Sequence, residues 1–153
     1  MPVLKNKKIV FGVLSVSLVF FLFLNIFSDG GVVVSRTLEA VLGEIAKCPK
    51  SPNCVSTLTS SSEHRLEPWS ADSANILRKV KTAALKEPKS KLISESETHL
   101  QFTFKSPIFR FVDDVWFAFK DGKVHFKSAA RTGYKDFNKN QERMERIKER
   151  VFD

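Results

Sequence analysis

The sequence predicts an α+β protein, in which an N-terminal transmembrane helix is followed by a small domain with a four-stranded antiparallel sheet covered by two helices. Three observations predict this class: a long uncharged segment near the N-terminus, four segments of alternating apolar and polar residues, and helix-like segments on both sides of them. We divide the chain into a membrane anchor or signal segment (1–30), a connecting helix (31–47) and the α+β domain (48–153).

The first element is an uncharged run of 19 residues, 9–27. As a helix rising about 1.5 Å per residue, it crosses the roughly 30 Å hydrocarbon core of a bilayer, so membrane lipid is its predicted partner. Lys5, Lys7 and Lys8 precede it, so the positive-inside rule predicts a single-pass protein with a cytoplasmic N-terminus and the domain on the exoplasmic, periplasmic side. The alternative is secretion after cleavage near Gly30. We favour the uncleaved anchor because signal-peptide apolar regions run about 7–15 residues.

The net charge of the chain is +8, and the three lysines before the apolar run supply three of these charges. The remaining basic residues are interspersed with acidic ones. A domain near anionic lipid needs no nucleic acid to explain such a charge, and the sequence holds no recognition motif for one. We therefore expect no nucleic-acid partner.

The connecting segment places Leu38, Val41, Leu42 and Ile45 at helical spacing. We expect this short amphipathic helix to pack on the domain. The alternative is that it lies along the membrane surface.

Cys48 and Cys54 are the only cysteines, in the segment C-P-K-S-P-N-C. Two cysteines flanking a turn-rich stretch predict a structural disulfide in an oxidising compartment. They cannot complete a structural zinc site alone, and their spacing differs from a C-x-x-C redox motif. A redox or metal role and free thiols remain the alternatives. We expect no metal and no cofactor.

The remaining elements follow from periodicity. A helix begins near Ser70 or Asp72, whose side chains can cap it, and ends before Pro88. Asp121-Gly122 is a two-residue hairpin turn between the last two strands. A final amphipathic helix begins at Asn138 or Asn140. The four predicted strands are residues 91–97, 99–105, 109–120 and 123–129.

One group of polar residues is the candidate binding site. Asp113 interrupts an apolar strand face, where a carboxylate is costly unless it is paired, while Asp114 points to the opposite face. Either is a candidate partner for Arg131. Tyr134 and Asp136 follow, just before the last helix, whose N-terminus favours anions. The five residues form either a small polar pocket or, as we favour, a buried salt bridge and a capped loop that fix this helix on the sheet.

We assign no catalytic residue. Adjacent residues on a strand point in opposite directions, so the two aspartates do not form a facing acid/base pair. His64, His99 and His125 have no metal-ligand spacing, and we expect them to be exposed. The chain also contains neither G-x-S-x-G nor a P-loop.

Three motifs of the chain together resemble the uncharacterised DUF1499 family. The resemblance covers about Lys47 to the C-terminus and implies a membrane-associated or exported domain of bacteria, with relatives in plastids and no established activity. The family motif continues from its aspartate through a Gly and then Asn-Arg; here Asn138 stands at the Gly, Asn140 matches the Asn, and Gln141 replaces the Arg. The motifs are Cys48-Pro49-x-Ser51-Pro52-Asn53-Cys54-Val55-Ser56, Phe111-Val112-Asp113-Asp114-Val115 and Ser128-Ala129-x-Arg131-x-Gly133-Tyr134-x-Asp136.

These observations favour a membrane-anchored envelope domain that binds an envelope protein or a small anionic ligand. The alternative is a hydrolase acting on an envelope or anionic substrate, with Asp113 or Asp114 as base and Arg131 as anion clamp. A third possibility is a structural component of the envelope, which needs no pocket.

Overall fold

The computed structural model describes residues 36–106 and 111–153, which belong to one compact unit. These residues contain three α-helices and a six-stranded antiparallel sheet. The helices are α1 (Leu38–Ala46), α2 (Ile76–Leu85) and α3 (Lys139–Phe152). The strands are β1 (Cys54–Ser56), β2 (Trp69–Ser70), β3 (Ser90–Glu95), β4 (His99–Lys105), β5 (Val112–Lys120) and β6 (Lys123–Ala130).

The α+β class and the two helices that cover one face of the sheet are confirmed, but the sheet has six strands, not the predicted four. Strands β3 to β6 form a meander in chain order, and β1 and β2 both pair with the outer edge of β6. These two strands have only 3 and 2 residues. They are too short for the period-two alternation that identifies a strand in a sequence.

The predicted transmembrane segment, residues 9–27, lies outside the described residues. Across 36–106 and 111–153, the structure has no helix that combines the length and the apolar character needed to span a bilayer.

The larger core lies between one face of the sheet and helices α2 and α3. Trp69 of β2 closes it at one end, with its ring centroid 4.8 Å from that of Phe126 and 5.9 Å from that of Phe117. Burying a large apolar side chain of this kind contributes about 1.5–3 kcal/mol to the free energy of unfolding. Alternating residues of β4, β5 and β6 supply the buried aromatic rings: Phe102, Phe104, Phe117 and Phe126.

Helix α1 packs on the opposite face of the sheet, through Val41 and Ile45 against Trp116. At its C-terminal end, the Lys127 ammonium donates a 3.1 Å hydrogen bond to the Glu44 carboxylate. Burial alone would raise the pKa of Glu44, but the hydrogen bond and charge of Lys127 outweigh it and lower the pKa. The short helix is therefore part of the folded unit, and its apolar face is covered by the sheet.

A buried carboxylate joins helices α2 and α3. Glu87, just after α2, is 4% exposed and accepts hydrogen bonds from Arg146 and Arg150 of α3. Burial alone would raise the pKa of Glu87, but the hydrogen bonds and charges of the two arginines outweigh it, so the pKa lies below its ordinary value of 4.5. The ionised carboxylate thus stabilises the contact between the two helices.

We predict that this contact weakens at acidic pH. Because the pKa of Glu87 is lowered in the folded chain, its contribution is present above about pH 4.5 and is lost as the pH falls further. Glu87→Gln should lower the free energy of unfolding at neutral pH by about 2 kcal/mol, since it weakens hydrogen bonds to charged groups. The difference from wild type should shrink in acid. Urea unfolding of the full chain in mild detergent, at a series of pH values, measures this.

The matched control is Glu149→Gln, which changes another acidic residue of α3 whose side chain is exposed to solvent. It should leave the unfolding free energy nearly unchanged at every pH. A Glu87→Gln curve that coincides with this control would contradict the prediction.

Candidate functional site

The structure distributes the five predicted site residues over three environments. Asp113 is buried on the core face of β5. Asp114 lies on the opposite face, where it pairs with Arg131. Asp136 lies at the start of α3, and Tyr134 is 75% exposed. The five residues therefore do not line one common pocket.

Asn140, in the first turn of α3, is the centre of a buried hydrogen-bond network. Its Oδ1 accepts hydrogen bonds from the Ser128 hydroxyl and from Arg143 Nη1, the latter at 2.8 Å. Its Nδ2 donates to the Asn53 backbone oxygen at 3.0 Å and to the Asp136 carboxylate at 2.7 Å. All four hydrogen-bonding positions of the amide are filled. We call these five residues and Asp113 the Asn140 network.

Arg143 is the partner of Asp113. Of the two aspartates predicted as candidate partners of Arg131, only Asp114 pairs with it. Arg143 Nη2 donates to the Asp113 carboxylate, Nη1 donates to Ser128 at 3.0 Å, and the guanidinium lies 4.7 Å from the ring centroid of Phe104. Both paired side chains are nearly buried, at 11% and 12% exposed. Arg143 lies three residues after Asn140 and so on the same side of the helix, but this spacing does not identify Asp113 as its partner.

The predicted disulfide between Cys48 and Cys54 is confirmed, with the sulfur atoms 2.06 Å apart. The loop that it closes presents Asn53 to the network. The Asn53 backbone oxygen also accepts from the Ala130 amide at 3.0 Å, and its side chain donates to the Gly133 carbonyl. The disulfide loop is therefore attached to the C-terminal end of β6 and to the segment that follows it.

Asp114 and Arg131 form an ion pair on the other face of the sheet. Two hydrogen bonds of 2.8 Å join the guanidinium to the carboxylate, and the Arg131 side chain remains 53% exposed. The hydrogen bond and charge of Asp114 raise the pKa of Arg131 above its ordinary value. The Arg131 amide also donates to the Val112 carbonyl at 2.9 Å, which continues the pairing of β6 with β5.

The segment from Arg131 to Lys139, which we call the 131–139 loop, ends in a cap on α3. The Asp136 carboxylate accepts from the backbone amides of Asn138 and Asn140 at 3.2 and 2.9 Å. Phe137 and Asn138 both have left-handed backbones, with φ of 55° and 64°. Asparagine tolerates this conformation well, because its short polar side chain can hydrogen-bond locally. Phenylalanine does not favour it, and its ring is 74% exposed.

The histidines are not all exposed as predicted, because His64 and His99 are buried. The His64 ring nitrogen Nδ1 lies 3.0 Å from the Cys54 carbonyl oxygen, and His99 Nδ1 lies 2.8 Å from the Ser96 hydroxyl. Burial lowers the pKa of His99, which favours its neutral form. No three His, Cys, Asp or Glu residues within 36–106 and 111–153 are placed to hold a metal ion.

A cleft of about 590 Å³ lies away from the predicted site. It is bounded by the start of α2 and by the turn between β3 and β4. Polar and apolar side chains line it, among them Asn75, Leu77, Arg78, Glu95, Glu97 and Leu100. None of the five predicted residues contributes to this cleft.

We predict that the two adjacent aspartates differ sharply in their contribution to stability. Asp113→Ala leaves the Arg143 guanidinium buried without its carboxylate partner. It should therefore lower the free energy of unfolding by about 3–5 kcal/mol. Asp114→Ala removes a half-exposed ion pair and should cost about 1 kcal/mol or less. Chemical unfolding of the two variants measures both values. Equal losses would show that Asp113 is not the buried partner of Arg143.

We also predict that Asn140 is required for stability although it is polar. Asn140→Ala removes four hydrogen bonds and leaves buried groups unpaired, so it should cost about 2–4 kcal/mol. Gln141→Ala is the control, because the Gln141 side chain donates its hydrogen bond to the Glu145 carboxylate on the exposed side of α3, outside the Asn140 network. It should change the unfolding free energy by about 0.5 kcal/mol or less. If the two variants are equally stable, the network does not hold α3.

A comparison with known proteins identifies a family that shares the part of the chain described above. The family described as a protein of unknown function, DUF1499, matches residues 44–151, which include the disulfide loop, both aspartates and the 131–139 loop. No curated protein gave a significant match. The match covers well over half of the chain, and the chain therefore belongs to the DUF1499 family.

Proposed function

We propose that this chain is a membrane-anchored, exoplasmic binding domain and that the 131–139 loop is the element that contacts its partner. The observation that carries the proposal is the exposure of two aromatic rings, Tyr134 and Phe137, on a loop that is fixed at both ends. Large aromatic side chains supply much of the binding energy at interfaces. A loop that is already ordered loses less conformational entropy on binding.

The loop is fixed by contacts with three other parts of the fold. At its start, the Arg131 amide donates a hydrogen bond to the Val112 carbonyl. In its middle, the Asn53 side chain donates to the Gly133 carbonyl. At its end, the Asp136 carboxylate accepts from the Asn140 amide of α3. These contacts use the polar atoms of the motif residues for positioning. The side chains that the loop exposes to solvent include the two aromatic rings and Lys135 between them.

The pairing of both aspartates favours binding over hydrolysis. A hydrolase that used Asp113 or Asp114 as base would need a carboxylate free to accept a proton. Asp113 is held by Arg143, and Asp114 is held by Arg131, the residue that would have to clamp an anionic substrate. Each candidate catalytic group is thus occupied by another residue of the chain.

Two features support the exoplasmic location. The apolar run 9–27 follows three lysines, as in a helix whose N-terminus stays in the cytoplasm. The Cys48–Cys54 disulfide fits an oxidising compartment, since disulfides rarely persist in the cytosol. A mass measurement of the mature chain distinguishes the anchor from cleavage near Gly30.

We predict that a photo-crosslinking amino acid placed at position 134 or 137 of the full chain, in its native cells, forms a discrete adduct. Benzophenone side chains react with C–H bonds of nearby protein or lipid, so the assay does not presuppose the partner. Gel shift and mass spectrometry of the purified chain identify the adduct. The same probe at Leu85, an apolar residue of α2 that is 48% exposed, is the matched control.

We expect a crosslinked adduct when the probe is at a loop position and no adduct when it is at Leu85. If the loop positions give no more adduct than Leu85, the loop is not a contact surface and the proposed function fails.

A further inference from the structure

We propose that the partner of the 131–139 loop is an anionic lipid surface, into whose headgroup region Tyr134 and Phe137 insert. This inference rests on the proposed function and names the chemistry of the partner. Three properties of the loop support it: its shape, its charge and the way its backbone is held.

The shape of the loop fits a planar surface better than a small molecule. Tyr134 and Phe137 are 75% and 74% exposed, so they project from the domain rather than line a cavity. Small-molecule sites are concave and enclose most of their ligand. The 590 Å³ cleft near α2 is lined by other residues. Projecting rings can instead be buried together when the loop meets a fluid interface.

Phe111 lies at the same end of the sheet and is 48% exposed. It precedes Val112, whose carbonyl accepts the Arg131 amide, so it neighbours the start of the loop. Three exposed aromatic side chains therefore lie at one end of the domain. Aromatic residues are typical of the zone where membrane proteins meet lipid headgroups.

The charge of the loop complements anionic headgroups. Arg131 and Lys139 already form ion pairs with Asp114 and Glu142. Among the described residues Lys135 has no acidic partner within ion-pair distance, so it is the cation of the loop that can meet an anionic headgroup. The Lys135 ammonium lies 5.8 Å from the ring centroid of Phe137, so a cation lies beside an aromatic ring that would enter the interface. Asp136 itself is directed at the amides of α3. Basic side chains beside a bilayer surface are attracted to its negative potential.

The backbone keeps the aromatic side chains outside the core. The left-handed conformation of Phe137 and Asn138 lies directly between the capping carboxylate of Asp136 and the start of α3. An exposed phenylalanine in a disfavoured backbone conformation is maintained only when its surroundings enforce it. Here the Asn140 network provides that enforcement, so the loop is ordered before it meets lipid.

Quenching by brominated lipid tests this inference. The full chain carrying Tyr134→Trp is reconstituted in vesicles of phosphatidylcholine and phosphatidylglycerol with brominated acyl chains, and Leu85→Trp is the matched control. Both variants retain the buried Trp69 and Trp116, whose signal is measured in the wild-type chain and subtracted. We expect the added tryptophan of Tyr134→Trp to be quenched about threefold more than that of Leu85→Trp. The quenching should fall when phosphatidylglycerol is omitted and when Lys135→Glu is added.

Equal quenching of the two variants, or quenching that does not depend on phosphatidylglycerol, would overturn the anionic-lipid inference. The crosslinking assay then separates the two proposals. A protein adduct at position 134 without lipid quenching would show that the partner is a protein, so the proposed function would stand and this inference would fail. Neither adduct nor quenching would reject both.

Discussion

The placement of the last helix and of the 131–139 loop depends on one buried amide, that of Asn140. It is inaccessible to solvent, and each of its hydrogen-bonding positions is filled by another residue of the domain. A buried polar group without partners costs about 1–3 kcal/mol, so such a network stabilises the fold only when it is complete. Throughout residues 36–106 and 111–153, every buried side-chain nitrogen or oxygen has a hydrogen-bond partner. The network therefore fixes the relative positions of the disulfide loop, β6 and α3.

This arrangement separates the motif residues into those that position the 131–139 loop and those that the loop exposes. Asn53, Asp136 and Asn140 hold its backbone, and the disulfide holds Asn53 in turn. Tyr134 and Phe137 remain outside and are available to a partner. The buried part of this arrangement is thus polar, while its exposed part, to which we assign the contact with a partner, is aromatic.

Sequence periodicity predicted the elements whose side chains alternate over many residues. Strand β4 was predicted with its observed bounds, and the Asp121-Gly122 turn joins β5 and β6 as expected. Strands β1 and β2 were missed because so few residues show no alternation. Periodicity also predicts which side chains lie on the same face of a helix or strand. It does not predict which residue far away in the sequence they contact. Arg143 therefore looked like one more charge of α3, and its pairing with Asp113 depends on how α3 lies on the sheet.

The most direct test of this account is amide hydrogen exchange in the full chain and in Asn140→Ala. The amides of Arg131 and Asn140 are hydrogen-bonded in the wild-type chain and should exchange slowly. In Asn140→Ala, exchange across residues 131–139 should become faster, while the central strands β4 and β5 stay protected as the sign that the domain is still folded. Unchanged exchange in the 131–139 loop would show that the network does not hold the loop, and the central claim would be wrong.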